Sequence, residues 1–254
     1  MRSLNIHKFA FLQYFEANER ENLQVQRILA TSRHSLFDGF RTLIFPEICI
    51  MCQGQEGKIC ENCSRAWEEK PARINFRDIP TFSTVTYSSL VSSVVLKAKE
   101  ERNDFARQLL AKALHGAIKS LIKNQRISKF VLVPIPSSPS ALRKRGESFL
   151  HPILNKVLLV DSSSNEEWKW QELIRHRKKV RDQAGLNSRQ RKENLAGVFQ
   201  IRNVESTSLP IILVDDVVTT GSTLRNAYLA LNERKMTVLG AATACASPHQ
   251  FPIR

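Results

Sequence analysis

Residues 211–223 read IILVDDVVTTGST. Four apolar residues, two of them β-branched isoleucines, run straight into two adjacent aspartates and then into a hydroxyl-rich turn around one glycine. A short apolar run of this kind reads as a buried strand. Side chains alternate along a strand, so Asp215 and Asp216 cannot both remain in a core, and both are expected at the strand's carboxyl end. The turn that follows, 217–223, offers successive backbone N–H groups at Val217 and Val218. It adds hydroxyls at Thr219, Thr220, Ser222 and Thr223, and Gly221 can take a positive φ where the chain must curl. It leads into STLRNAYLALNERK, residues 222–235, read as a helix capped by Ser222 or Thr223.

A helix amino terminus attracts a dianion through its unpaired N–H groups and the positive end of its dipole. Two carboxylates just ahead of it would repel a phosphate if they pointed at it. They are therefore expected to face sugar hydroxyls or a Mg²⁺ ion, and a ribose carrying a phosphate at one end satisfies the whole stretch.

Outward from this segment the pattern alternates. TFSTVTY at 81–87, KFVLVPIP at 129–136 and MTVLGAATACA at 236–246 read as strands, while 89–124 and 150–160 carry helical spacing. Strands alternating with amphipathic helices imply an α/β fold, a parallel sheet with helices on both faces. Ligands in such sheets bind beyond the carboxyl ends of the strands, which is where the two aspartates are expected.

Four of the five cysteines fall in CIMCQGQEGKICENC, residues 49–63, a C-x2-C-x7-C-x2-C spacing. Cys49, Cys52, Cys60 and Cys63 so spaced can surround one tetrahedral ion, and four protein ligands would make the site closed and structural. Zinc is the expected metal; a redox C-x-x-C pair and a disulfide staple are the alternatives. Cys245, in the last apolar strand, reads as a small buried residue.

The chain has 254 residues, 38 Lys plus Arg against 24 Asp plus Glu, and a net charge of +14, which favours anionic partners such as phosphorylated small molecules or nucleic acid. Segment 175–192, RHRKKVRDQAGLNSRQRK, holds eight Lys or Arg against one Asp. Beside a phosphate site, Arg177, Lys178 and Lys179 become candidates for a basic lid over pyrophosphate, with Arg143 and Arg145 as a second cluster. Lys97 and Lys99 are more weakly placed. That segment contains no aromatic to interleave with its charges, as a single-strand nucleic-acid platform would; Trp168 and Trp170 upstream are expected to pack under a loop. No apolar run reaches the ~20 residues of a membrane span, so no membrane insertion and a cytoplasmic location are expected. The organisation expected is an extension with helical stretches at 1–40, a zinc-finger-like knuckle at 41–75 and the α/β domain at 76–254.

The 211–223 stretch resembles the phosphoribosyl pyrophosphate signature of the type I phosphoribosyltransferases. The wider set resembles the ComF family of competence-related phosphoribosyltransferase-like proteins. That set comprises the four-cysteine knuckle, Tyr87 and Lys97, VPIP followed by Leu142-Arg143-Lys144-Arg145-Gly146, GLNSRQRKENLAGVFQI, and LVDDVVTTGSTL. The resemblance implies a type I phosphoribosyltransferase core with an amino-terminal zinc finger. It implies that Asp215 and Asp216 hold the ribose hydroxyls, directly or through Mg²⁺, while 219–223 cradle the 5-phosphate. Transfer of phosphoribosyl to an undefined nucleophile follows, in a setting of DNA uptake and natural transformation. The alternative is a non-catalytic module that keeps the pocket and contacts single-stranded DNA or DNA-uptake proteins. Where the family has Arg-Gly-Phe-Asn-Gln, this chain has Arg145-Gly146-Glu147-Ser148-Phe149, which places a carboxylate in a region expected to lie near an anionic ligand.

Overall fold

A computed structural model describes residues 47–252 other than 77, 128, 162–167, 178–197 and 203–206. The chain divides into two compact units, Met1–Glu47 and Ile48–Arg254, and the description below concerns the second. The extension expected at 1–40 lies outside the described residues.

The main sheet has five strands in the order β1 (Ala72–Arg73), β2 (Thr81–Thr86), β7 (Val238–Ala246), β6 (Ile211–Val218) and β3 (Val131–Pro134). Strands β2, β7, β6 and β3 run parallel, and β1 is an antiparallel edge. The parallel α/β reading is thus correct. Central position explains the sequence of β6: Ile211, Ile212, Leu213 and Val214 are all fully buried, so the run is continuously apolar rather than alternating.

After a one-turn helix α1 (Glu61–Ser64) in the knuckle, helix α2 (Ser89–Glu100) and helix α3 (Asp104–Gln125) follow β2. The single helical stretch read at 89–124 is therefore two helices. Arg102 takes a left-handed φ of 53° and ends the first, while the Asn103 side chain accepts from Ala106 N and starts the second. Helix α3 covers one sheet face: Thr84 Oγ1 donates to Ala113 O at 2.7 Å, and Gly240 leaves room for Pro80 O and the Leu121 side chain. Helix α5 (Leu150–Asp161) packs beside it. Helix α6 (Ser222–Glu233) connects β6 to β7 in the opposite direction across the sheet, and a right-handed crossover places it on the other face. A small antiparallel pair, β4 (Ile174–His176) with β5 (Phe199–Ile201), stands apart from the main sheet.

Among the described residues no helix is long and apolar enough to cross a membrane.

Candidate functional site

Alternation in β6 separates the two aspartates. Val214 pairs in register with Ala242, and Asp215 with Thr243. Even-numbered side chains of β6 therefore face the α2–α3 layer, odd-numbered ones the α6 layer. Asp216 points to the first face, where Lys99 Nζ at the end of α2 lies 2.5 Å from its Oδ2. Asp215 points to the second, and its Oδ1 accepts from the Asp216 N–H at 2.9 Å. Both lie within β6 in its second half, since Val217 and Val218 extend the strand past them. The expectation of a strand ending at the aspartates is corrected accordingly.

Burial, reinforced by the neighbouring Asp216 carboxylate, holds the Asp215 carboxyl well above the usual carboxylate range, with the Asp216 N–H and Lys99 opposing. Its register partner Thr243, and Ser83 beyond that on β2, are fully buried. Neither hydroxyl has a hydrogen-bond partner among the described residues. A polar row thus crosses three strands on the α6 side.

The loop after β6 is shaped by backbone geometry. Gly221 takes φ 76°, a left-handed conformation, and serves as the N-cap of α6 without any side-chain cap. This corrects the cap read at Ser222 or Thr223. Instead, Thr220 Oγ1 lies 3.1 Å from Ser222 Oγ and accepts weakly from Ser222 N at 3.4 Å. Thr219, Thr220, Ser222 and Thr223 are exposed, so their hydroxyls are open to a ligand. Val218 is buried and Val217 partly so; these two contribute backbone, not side chains.

Three residues that carried no signal of their own brace this loop. The Gln250 side-chain amide donates to Thr219 O at 2.9 Å, the Ser247 N–H donates to Val218 O at 2.9 Å, and the Phe76 ring lies against Gly221.

The basic candidates fall into separate places. Arg143 is exposed on helix α4 (Pro139–Arg145), and Arg177 is exposed just past β4, its N–H donating to Val198 O. Lys178 and Lys179 lie outside the described residues. Arg145 approaches the acidic pair through Phe149: its guanidinium carbon is 5.8 Å from the ring centroid, and Lys99 Nζ is 5.0 Å from the same centroid. One Arg145 nitrogen, Nη1, has no hydrogen-bond partner among the described residues. Phe149 is buried and acts as a platform for two cations.

Glu147 does not face the site as an uncompensated charge. Its Oε1 accepts from Arg107 Nη2 at 2.6 Å and lies 3.6 Å from Arg102 Nε. Arg102 Nη2 also donates to Arg145 O, and Lys144 pairs with Glu100 at 2.6 Å. The turn after α2 thereby holds the end of α4 through three charged contacts. Lys97, by contrast, pairs locally with Glu101 at 3.6 Å. Lys99 was only weakly legible in the sequence. One signal could have found it: Val91, Val94, Val95 and Ala98 form the buried stripe of α2, and residue 99 is the next position in that stripe.

Trp168 is buried against Phe130 and His115, and Trp170 stacks on His151 and donates to Asn155 Oδ1, so both pack rather than present free faces.

The four cysteines do converge. Their sulfur atoms lie within 4.8 Å of one another, and Cys52 and Cys60 stand 3.7 Å apart. Sulfurs at about 2.3 Å from a tetrahedral zinc are separated by roughly 3.8 Å, so the set fits the ion. The knuckle is closed by Cys49 N donating to Gly54 O, by Gln53 at φ 64° and by Gly57 at φ 88°. Burial opposes ionisation of Cys49, but the Cys52, Cys60 and Met51 N–H groups outweigh it and bring the thiol down to about 6. Trp67 Nε1 donates to Met51 Sδ, and Ser93 Oγ of α2 donates to Ile50 O, fastening the knuckle to the domain. Cys245 is buried in β7, where desolvation pushes its thiol up.

With this geometry in view, the chain belongs to the phosphoribosyl transferase domain family, whose pattern matches residues 105–251. The match takes in α3, the acidic pair, the loop and Gln250, and leaves the cysteine knuckle outside. Similar solved structures include the allosteric regulatory enzyme of purine biosynthesis, at 13% identity, covering 55% of this chain and 25% of that one with a TM-score of 0.31. Another is a hypoxanthine phosphoribosyltransferase from Staphylococcus aureus, at 12% identity, covering 56% of this chain and 65% of that one with a TM-score of 0.28. No curated protein matches the chain.

Proposed function

We propose that the protein binds phosphoribosyl pyrophosphate with Mg²⁺ and transfers its phosphoribosyl group to a nucleophile, with release of pyrophosphate. The observation that carries this reading is the β6 carboxyl end: two acids side by side, then exposed hydroxyls on a loop whose glycine opens the amino terminus of α6. In this reading Asp215 and Asp216 serve as acceptors for the ribose hydroxyls, directly or through Mg²⁺. The 5-phosphate sits on the N–H groups and hydroxyls of 219–223. Arg145, with a donor to spare, and Arg143, Arg177, Lys178 and Lys179 serve the pyrophosphate. When bound, Mg²⁺ would neutralise charge developing on the leaving group. The chain's own residues supply electrostatics: carboxylates near a ribose ring that becomes cationic, and basic groups near the departing anion.

We place the protein in the ComF family on the strength of the cysteine knuckle joined to this core, with zinc as a structural ion at Cys49, Cys52, Cys60 and Cys63. In this reading the chain is organised as an extension at 1–40, a zinc-finger-like knuckle at 41–75 and a phosphoribosyltransferase-like domain at 76–254. A cytoplasmic role in DNA uptake follows from that membership, and the net charge of +14 suits it. The test is a calorimetric titration with phosphoribosyl pyrophosphate and Mg²⁺ against wild type and Asp215→Asn/Asp216→Asn. Saturable binding in wild type, lost in the double variant, is expected; equal heats from both would overturn the reading. Pyrophosphate release on adding candidate bases or amines then distinguishes turnover from binding alone.

A further inference from the structure

Lys99 belongs to no motif of the loop, yet it reaches the acidic pair from another layer. Its Nζ stands 2.5 Å from Asp216 Oδ2, with side chains 28% and 11% exposed, so solvent and salt screen the pair poorly. Taking a carboxylate out of water is costly unless a cation compensates it. Lys99 is that cation, and it is held in place on several sides. The buried stripe of α2 fixes its backbone, and the Phe149 ring receives its ammonium at 5.0 Å. Arg145 shares the ring, and Arg102 ties down the Arg145 carbonyl. A loose surface lysine would give up much of such a contact to side-chain entropy; a lysine packed this way does not.

Resting on the sugar-phosphate reading above, we infer that Lys99 is a positioning residue of that site: an internal counter-cation that occupies Asp216, so that Asp216 does not ligate a divalent metal. Asp216 is then an oriented acceptor for a sugar hydroxyl before any metal arrives. The two acids do different work, because among the described residues only Asp216 has a lysine within ion-pair distance. Divalent cation enters the site with the ligand rather than being stored on the acidic pair.

The experiment uses the full zinc-loaded chain and Mn²⁺ alone as probe, with free Mn²⁺ read by electron paramagnetic resonance and no sugar phosphate present. Wild type, Asp216→Asn and Lys99→Arg are expected to bind Mn²⁺ equally weakly. A charge within a few ångströms changes a carboxylate's affinity for a cation by at least about tenfold, so Lys99→Met should bind Mn²⁺ tighter by that factor. Lys99→Met/Asp216→Asn should return to the wild-type value. A wild-type affinity that falls on Asp216→Asn, or a Lys99→Met affinity no tighter than wild type, overturns the inference. If Lys99→Met fails to fold, the comparison of wild type with Asp216→Asn decides by itself. A parallel titration with phosphoribosyl pyrophosphate keeps the two ideas apart. Absence of wild-type binding there sinks the sugar-phosphate reading, and with it the site in which Lys99 would act, whereas the Mn²⁺ series sinks the role of Lys99 alone.

Discussion

The ring of Phe76 is packed against Gly221 so closely that a methyl group at residue 221 would stand 2.3 Å from ring Cε2. Gly221 is also at φ 76°, so two independent constraints exclude a side chain there. Gly221→Ala is expected to cost about 1–3 kcal/mol, part steric and part conformational. Gly221→Ala/Phe76→Ala should relieve the steric part in the loop and leave the conformational part. Urea denaturation gives the stabilities, and the phosphoribosyl pyrophosphate titration reports the loop. Full wild-type affinity in Gly221→Ala would show that loop geometry does not matter to the ligand.

Asp215 has its carboxyl raised by burial and by Asp216, so the folded state holds its proton more tightly than the unfolded chain does. Its adverse contribution is therefore absent below the unfolded carboxylate value of about 3.9 and grows as pH rises through the higher folded value. Asp215→Asn should melt above wild type at pH 8, and the gap should close as pH falls toward about 4. Thermal melts across pH check this; a variant less stable than wild type at pH 8 contradicts it. The same substitution should weaken sugar-phosphate binding, the expected trade of stability against function.

Glu147 is committed to Arg107 and Arg102. Glu147→Gln is expected to cost roughly 1–2 kcal/mol by weakening a charge-assisted hydrogen bond to the mostly buried Arg107. It should not tighten phosphate binding, as removal of a carboxylate facing an anion would. Denaturation midpoints and an inorganic phosphate titration on the same variant separate the two. A marked gain in phosphate affinity would place the carboxylate in the site after all.

The knuckle should carry about one zinc ion per chain, and metal binding supplies on the order of 10 kcal/mol to such a fold. Cys60→Ser should abolish the zinc and expose Trp67, whose indole N–H is held by Met51 of the knuckle. Metal analysis and tryptophan fluorescence read these outcomes. Full zinc content in Cys60→Ser would remove Cys60 from the ligand set.

How much of this was legible in the sequence depends on distance along the chain. β6 with its loop, and the knuckle, are each contained in fifteen or fewer consecutive residues, so spacing alone displays their chemistry. Lys99, Phe76 and Gln250 come from three other segments and meet the site only because β2, β7 and β6 lie side by side. The buried stripe of α2 points to Lys99, but no local pattern announces that the three meet. The cap of α6 was misread for a different reason: hydroxyl residues are the usual N-caps, but here the chain must turn through a positive φ, and the glycine takes the position. The break between α2 and α3 was hidden because Glu101 and Arg102 are ordinary helix formers, and it is set by the backbone of Arg102 and the side chain of Asn103.

Asp215 and Asp216 are consecutive and leave β6 toward opposite faces, yet near the end of the sheet their carboxyls come close enough to hydrogen-bond. A guest that grips both must straddle the rim of the sheet and clasp the helical layer on either side of it. Its arrival should accordingly slow amide exchange in Ser89–Glu100 and in Ser222–Glu233 together, joining two opposite walls of the domain into one cooperative block.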